Sequence, residues 1–286
     1  MILVTGANGY LGLETIRNLR RISPETEVSG LVRSREKGEK VSEAGAEVKI
    51  GDYFDPASLE KAFKNIDVLL LISSSTIEDR VKQHENVIRA AEKSGVKQLV
   101  YTSMVKASEK ISPLAYDHAE TEEILDRSNI ETTISRHTFY SELFPMFLGN
   151  ALDTGQWHFP SSGEKMNVAF RTEMGEALAG ILADPDPHRG KTYELTSGSA
   201  HTFTELSEML SNISGKKITY TDVPVDSYVE QLNKAGLPDE VVGMAKLSAE
   251  TVSSGALDIT TSDLKKLLGR KPASVETFIK EFLSQH

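Results

Sequence analysis

Three glycines near the start of the chain have the spacing of a phosphate-binding loop. Gly6, Gly9 and Gly12 lie in the stretch VTGANGYLG, directly after the first apolar residues. The first can turn the chain sharply at positive φ, and the second can let a phosphate approach the backbone where the next helix begins. The third can let that helix lie close to the sheet. The triplet therefore predicts a dinucleotide site, with a glycine-rich turn that holds no ligand as the alternative.

Basic residues at the end of the second predicted strand indicate which dinucleotide would bind. The strand ends in LVRSREK, where Arg33 occupies the position of the carboxylate that holds the ribose 2′-hydroxyl in NAD enzymes. A guanidinium suits a 2′-phosphate instead, and Arg35 and Lys37 add to the positive field. We therefore predict NADPH as the cofactor, with a solvated charge cluster as the alternative. Asp52, which ends the third strand, is interpreted as an adenine contact or as the cap of a turn.

A parallel sheet is needed to position these residues, and the first half of the sequence predicts one. Up to about residue 150, apolar runs alternate with segments of helical spacing. The runs lack period-two alternation, as expected of strands that are covered on both faces. The predicted fold class is α/β, a doubly wound parallel Rossmann-like sheet.

The second half of the sequence has a different pattern. After residue 150, turn-rich stretches such as TGQWHFPSSGEK separate shorter helices and strands. We predict an NAD(P)-binding Rossmann domain over residues 1–150 and a smaller, mostly helical lobe over residues 151–286. This lobe is expected to cover the carboxyl ends of the strands, where ligands bind in such sheets.

The composition argues against several classes of function. The net charge of −10 disfavours nucleic acid as a partner, and the absence of cysteine excludes disulfides and a cysteine nucleophile. The histidines show no metal-ligand spacing, so no metal is predicted. The longest apolar run, VLLLI, is too short to cross a membrane, and Met1 leads straight into a strand. We expect a cytoplasmic protein with a small-molecule partner, and a homodimer is compatible with the sequence.

Several motifs together resemble the NmrA-like branch of atypical short-chain dehydrogenases. They are TGANGYLG, LVRSREK, GDYFDPASLEKAF, LLLISSS, HENVIRAAEKSGVKQLVYTS and HAETEEIL. Within that branch the sequence is most similar to bacterial NAD(P)H:quinone oxidoreductases of type 2, and next to triphenylmethane reductases. The resemblance implies a Rossmann fold, NADP(H) as cofactor and a quinone or similar conjugated molecule as acceptor.

The resemblance also implies roles for individual residues. The pyrophosphate loop would comprise Gly6, Ala7, Asn8, Gly9, Tyr10 and Leu11, and Arg33 would contact the 2′-phosphate. Residues along the rest of the cofactor would be Ser73, Ser74, Ser75, His137, Thr138, Phe139, Tyr140, Ser141 and Glu142, with Arg171 contributed from the second lobe. The sequence departs from the quinone reductases at His137, where the family has an amide, and at Tyr116, where an acidic residue is usual.

The acid of ordinary short-chain dehydrogenases is absent from the sequence. Those enzymes use Tyr-x-x-x-Lys, but Tyr116 is followed four residues later by Glu120, which would raise the pKa of the tyrosine. Quinone reduction needs less, because water can protonate the hydroquinone oxygens. Tyr140 and His137 are the candidate catalytic residues, as hydrogen-bond donors to a quinone oxygen.

Two further histidines have alternative interpretations. His118 is either a proton donor or, four residues before Glu122, half of a surface pair on a helix, and the spacing favours the pair. His84 lies on an apolar helix face and is interpreted as a satisfied interior histidine.

The leading functional hypothesis is an NADPH-dependent reductase that transfers a hydride to quinones or similar conjugated acceptors. The alternative is a non-catalytic NADP(H)-binding redox sensor of the NmrA-like type. A nucleotide-sugar epimerase would need a proton-transfer residue beside the nicotinamide, and the sequence offers none.

Overall fold

A seven-stranded parallel sheet forms the centre of the computed structural model, which describes residues 1–76 and 78–285. Its strands are β1 (Ile2–Val4), β2 (Val28–Val32), β3 (Glu47–Ile50), β4 (Val68–Leu71), β5 (Gln98–Met104), β6 (Glu131–His137) and β11 (Thr192–Leu195). They lie in the order β11-β6-β5-β4-β1-β2-β3, and all neighbours are parallel. The chain changes direction across the sheet between β1 and β4, which is where ligands bind in doubly wound folds. The predicted fold class is confirmed.

Helices connect these strands in the first half of the chain. They are α1 (Tyr10–Ile22), α2 (Glu39–Glu43), α3 (Pro56–Ala62), α4 (Arg80–Lys93) and α5 (Pro113–Asp126). Local chemistry sets the start of α3, where the Asp55 carboxylate accepts hydrogen bonds from the backbone N–H groups of Ala57 and Ser58, and Pro56 occupies the first turn. Single 3-10 turns span Arg35–Gly38, Ala107–Glu109, Ser141–Leu143 and Asp186–His188.

The second half consists of helices and three two-stranded ladders. The helices are α6 (Phe144–Leu148), α7 (Ala151–Thr154), α8 (Arg171–Ala183), α9 (Phe203–Ser214), α10 (Val225–Lys234), α11 (Asp239–Ser253), α12 (Asp263–Leu268) and α13 (Val275–Ser284). The short strands are β7 (Phe139–Tyr140), β8 (Gln156–Phe159), β9 (Lys165–Met166), β10 (Val168–Ala169), β12 (His201–Thr202) and β13 (Thr219–Asp222), paired β10-β7, β12-β9 and β13-β8. Within the described residues, no helix is both long and apolar enough to span a bilayer.

Parts of the second half return to the large sheet. Strand β11 pairs with β6 as the outermost strand, and α8 packs along α1. The two helices come close at Gly175, where a Cβ atom would lie 2.8 Å from the Cβ of Glu14. The domain boundary at residue 150 stays a prediction. The structure shows that α8 and β11, which lie after that boundary, pack against or pair with the seven-stranded sheet and its helices.

A separate aromatic core lies next to the carboxyl ends of β5 and β6. It runs from Met104 through Phe144, Trp157 and Phe203 to Phe278, and all of these side chains are buried. The indole N–H of Trp157 donates to a backbone carbonyl at 2.7 Å, which satisfies its one polar group. This second core holds the segment that follows β6 against the edge of the sheet.

Candidate functional site

The glycine loop has the predicted turn at its first glycine. Gly6 has φ of +57°, and its carbonyl accepts a hydrogen bond from the N–H of Gly9 at 3.0 Å. Helix α1 then begins without a capping side chain or an acidic residue in its first turn. Its first N–H groups are therefore available to an anion.

Gly12 is required for a different contact from the one predicted. A Cβ atom there would lie 2.5 Å from the carbonyl oxygen of Gly6 and 2.8 Å from the Cα of Ala7. The helix therefore approaches the glycine loop itself, and the strand is not the neighbour that demands a glycine.

A cleft of about 330 Å³ lies between the glycine loop and the ends of β2, β3 and β4. Of the predicted residues, the cleft is lined by Gly6, Asn8, Gly9, Arg33, Asp52, Ser73, Ser74 and Ser75. Ala7 and Leu11 are buried in the core instead, and Tyr10 is 48% exposed beside the loop. Lining residues that the sequence did not reveal are Leu31, Val32, Gly51, Tyr53, Phe54, Ile72, Thr76 and Gln83.

The end of the cleft at β2 and β3 is basic and partly apolar. Arg33 is exposed, and it forms no salt bridge within the described part of the chain. The Phe54 side chain is 52% exposed although it lines the cleft. The Asp52 carboxylate accepts a hydrogen bond from the backbone N–H of Phe54 at 2.9 Å, so it closes a turn while it lines the cleft.

The serine loop, Ser73–Ser75, is fixed by three side chains from other elements. The N–H of Ser73 donates to Thr102 Oγ1 at 2.9 Å, and the N–H of Ser74 donates to His84 Nε2 at 2.9 Å. Arg80 Nε donates to the carbonyl of Ser74 at 2.9 Å. Strand β5 and helix α4 therefore set the position of the loop.

The protonation of His84 follows from these bonds. Its Nε2 accepts from a backbone N–H, so the ring proton must be on Nδ1. Nδ1 lies 2.9 Å from Thr121 Oγ1, whose own proton goes to the carbonyl of Asp117 at 2.8 Å. Burial lowers the pKa of His84 to about 3, so the ring is neutral. The interpretation of His84 as a satisfied interior histidine is confirmed.

His118 does not form the surface pair that its spacing favours. The carboxylate of Glu122 binds Arg136 at 2.6 Å and accepts from Ser103 at 2.5 Å, so it is engaged by strands β5 and β6. His118 Nδ1 lies 2.8 Å from the hydroxyl of the fully buried Tyr101. Burial raises the pKa of Tyr101 and lowers that of His118 well below its usual range. The His118 ring lies tilted against Tyr101, with ring centroids 6.0 Å apart, while the sheet binds Glu122.

The two candidate catalytic residues form one buried chain of hydrogen bonds. His137 Nε2 lies 2.9 Å from Ser135 Oγ, and its Nδ1 lies 3.2 Å from the Tyr140 hydroxyl. Burial lowers the pKa of His137 to about 3 and raises that of Tyr140 to about 12. Both rings are therefore neutral at physiological pH, and both nitrogens of His137 have protein partners.

Some residues around Tyr140 are held by contacts within the protein, and others have polar groups without a partner. Thr138 Oγ1 donates to the carbonyl of Asn167 at 2.8 Å, and Phe139 stacks on Phe147 with ring centroids 6.1 Å apart. The buried Ser141 Oγ has no partner within the described residues. None of the predicted residues from His137 to Glu142 lines the cleft.

Arg171 brings a cation to the start of α1. Its guanidinium carbon lies 5.2 Å from the ring centroid of Tyr10 and 4.7 Å from that of Tyr140. The Glu142 carboxylate accepts from the backbone N–H of Arg171 at 3.1 Å. The buried Nε of Arg171 has no hydrogen-bond partner among the residues described. A buried donor without a partner requires an explanation, such as a bound water, an ion or a catalytic role.

Comparison with known proteins identifies the family. The model of the NmrA-like family matches residues 1–279 of the chain. The chain belongs to the NmrA-like family. It is 36% identical to Quinone oxidoreductase 2 of Escherichia coli over 269 residues, and this match covers 94% of each protein.

Two solved structures are similar over nearly the whole chain. The NADPH-dependent quinone oxidoreductase of Escherichia coli complexed with NADPH has a TM-score of 0.93 and 34% identity, covering 99% of this chain and 100% of that one. The triphenylmethane reductase of Citrobacter sp. complexed with NADP(H) has a TM-score of 0.91 and 33% identity, covering 98% and 99%. The architecture of this NmrA-like protein is thus shared with two reductases that were crystallised with NADPH or NADP(H).

Proposed function

We propose that the protein is an NADPH-dependent reductase that transfers a hydride to quinones or similar conjugated acceptors. The observation that carries the proposal is the cleft in which the glycine loop, the exposed Arg33 and the serine loop meet. The similarity of the chain to a quinone oxidoreductase over 94% of its length supports the choice of acceptor.

The residues of the cleft suit NADPH. The uncapped start of α1 offers N–H groups to a pyrophosphate, and Arg171 adds positive charge beside Tyr10, the first residue of that helix. Arg33 is free to hold a 2′-phosphate, and the exposed ring of Phe54 offers an apolar surface to adenine. Ser73–Ser75 would lie along the remaining length of the cofactor.

The chain's own part in the reaction is to bind, orient and donate hydrogen bonds. NADPH, when bound, supplies the hydride. If Ser135 donates to His137 Nε2, then His137 Nδ1–H donates to the Tyr140 oxygen, and the Tyr140 O–H remains free to donate to a quinone oxygen. The raised pKa of Tyr140 keeps that proton in place. His137 thereby orients Tyr140 and does not itself contact the acceptor.

Steady-state turnover with a panel of acceptors tests the proposal. Purified protein is mixed with NADPH or NADH and with benzoquinones, naphthoquinones or a triphenylmethane dye, and oxidation of the cofactor and formation of the reduced acceptor are both measured. We expect turnover of at least one quinone, with NADPH preferred over NADH. Binding of NADPH without turnover of any acceptor would favour the redox sensor, and failure to bind either cofactor would contradict both functions.

A further inference from the structure

A second cavity, of about 650 Å³, lies at the start of α1 and is larger than the cofactor cleft. Its wall comes from Tyr10, from the 3-10 turn Ser141–Leu143 and α6, from the start of α8 and from the C-terminal helix α13. Among the described residues, none lines both cavities. A cavity of this volume is ordinary for a small-molecule site. The proposed reductase function gives it no role.

Aromatic rings form the apolar part of this wall. Phe170, Phe278 and Phe282 line the cavity, and Tyr10 faces it from α1 with 48% of its surface exposed. Phe278 meets Phe170 edge to face with ring centroids 5.7 Å apart, and it stacks on Phe282 at 6.2 Å. Rings of this kind pack against a flat apolar ligand, and their faces attract a cation.

The charged groups of the wall leave an excess of negative charge. Glu142, Glu173 and Glu281 line the cavity, together with one basic residue, Arg270. Arg270 is already bound, because its Nη1 donates to Glu173 and its Nη2 donates to Glu176 at 2.6 Å. Glu142 and Glu281 form no salt bridge within the described residues. The wall therefore contains two carboxylates without a cation of their own.

The other cations nearby do not fill this role. Arg171 does not line the cavity, and its guanidinium carbon lies over the rings of Tyr10 and Tyr140, 5.2 and 4.7 Å from their centroids. Its backbone N–H donates to the Glu142 carboxylate at 3.1 Å, which leaves most of the acceptor capacity of that group unused. Lys280, the basic residue of α13, binds Glu276 at 2.6 Å and does not line the cavity either.

We propose that this second cavity binds a flat aromatic cation, such as an N-alkylated heteroaromatic ring. The aromatic wall holds the body of the ligand, and Glu142 and Glu281 compensate its charge. The same carboxylates disfavour an anion, and a neutral ring gains the apolar contact alone. The inference goes beyond the proposed function, because such binding needs neither NADPH nor hydride transfer.

Fluorescence titration with N-methylacridinium, without any cofactor, tests the site. Acridine is the matched ligand, because it has the same ring system and is uncharged in mildly alkaline buffer. We expect the cation to bind about tenfold more tightly than acridine, and this difference should shrink as salt is added. Saturating NADP⁺ should change the Kd of the cation by less than about threefold, since the two cavities share no lining residue.

Substitutions on α13 locate the bound probe. Glu281→Lys places a positive charge on the wall and should weaken the cation about fivefold, while acridine should change by less than about twofold. Phe282→Leu removes one ring face and should weaken the cation about threefold. Glu276→Lys is the matched control, because it changes the net charge equally on the same helix but at a residue that does not line the cavity. It should leave both probes within about twofold of wild type.

Three results would overturn the inference: equal affinity for the cation and acridine, displacement of the cation by NADP⁺, or equal losses in Glu281→Lys and Glu276→Lys. Glu281 is exposed, so its replacement should leave the melting curve unchanged, and this variant decides the matter if Phe282→Leu fails to fold. Quinone turnover is measured separately, so a failure of the proposed function is distinguishable from a failure of this one.

Discussion

The two ends of the candidate cofactor site differ in how their polar groups are satisfied. At the end formed by β2 and β3, Arg33 has no salt bridge within the described part of the chain, and in the neighbouring glycine loop the start of α1 has no capping side chain. At the other end, His84, His137 and Tyr101 are buried and hydrogen-bonded to protein groups. The first end keeps its donors for a ligand, whereas the second uses protein hydrogen bonds to fix the rings before any ligand arrives. In the proposed reductase, cofactor affinity would depend on the unsatisfied polar groups of the first end and the chemistry on the fixed rings of the second.

The largest effect is expected at the glycine loop. Gly12→Ala places a Cβ atom 2.5 Å from the Gly6 carbonyl oxygen and 2.8 Å from the Cα of Ala7, and these backbone atoms leave little room to relax. We expect a loss of about 3 kcal/mol in the free energy of unfolding, measured by urea denaturation, together with weaker NADPH binding. Gly180→Ala is the matched control, because a Cβ there meets nothing within 4 Å, and it should stabilise the protein by about 0.5–1 kcal/mol. Equal free energies of unfolding for the two variants would contradict the inference that residue 12 must be a glycine.

An intermediate effect is expected at Arg33. A guanidinium–phosphate contact contributes about 1.5–3 kcal/mol, so Arg33→Ala should weaken NADPH roughly ten- to a hundredfold and leave NADH nearly unchanged. Arg35→Ala is the control, because Arg35 does not line the cleft, and its small effect should vanish as salt is added. Titration of both cofactors into each variant measures this. Equal losses for NADPH and NADH would mean that Arg33 does not read the phosphate.

The smallest effect is expected on mild acidification, and it belongs to the histidine-rich end. His84 and His137 have folded pKa values of about 3, below the usual 6.5, so the unfolded chain takes up their protons first. Their contribution to stability is complete above about pH 6.5 and is lost as the pH falls towards 3. Between pH 7.5 and 6 we expect a loss of about 1 kcal/mol per histidine in the free energy of unfolding. His137→Asn should remove its share of this loss and retain quinone reduction, since an amide also donates. A pH dependence identical to that of wild type would argue that His137 does not titrate in this window.

The sequence predicted the first end of the site far better than the second. Gly6, Gly9 and Arg33 line the cleft because of their own positions after β1 and β2, so the local pattern was sufficient to place them there. Tyr101 and His118 are 17 residues apart, and their contact depends on how β5 and α5 pack. The surface pair of His118 with Glu122 was wrong because Arg136, on a neighbouring strand, binds that carboxylate. Helical spacing alone carries no information about such a competitor. The apolar contribution of Phe54 was missed for a different reason: the turn at Asp52 is local, but the sequence does not show that the Phe54 side chain is exposed beside the cleft.

The position of β11 has a consequence for the newborn chain. Strand β6 leaves the ribosome well before Thr192–Leu195 can pair with it, so in the interval it is an open edge able to pair with other chains. Glu131 and Arg136 place charges on that strand, and charged side chains on an open edge oppose pairing with other chains. Strand β6, which leads into the segment that holds Tyr140, must therefore also avoid pairing with other chains until β11 has been synthesised.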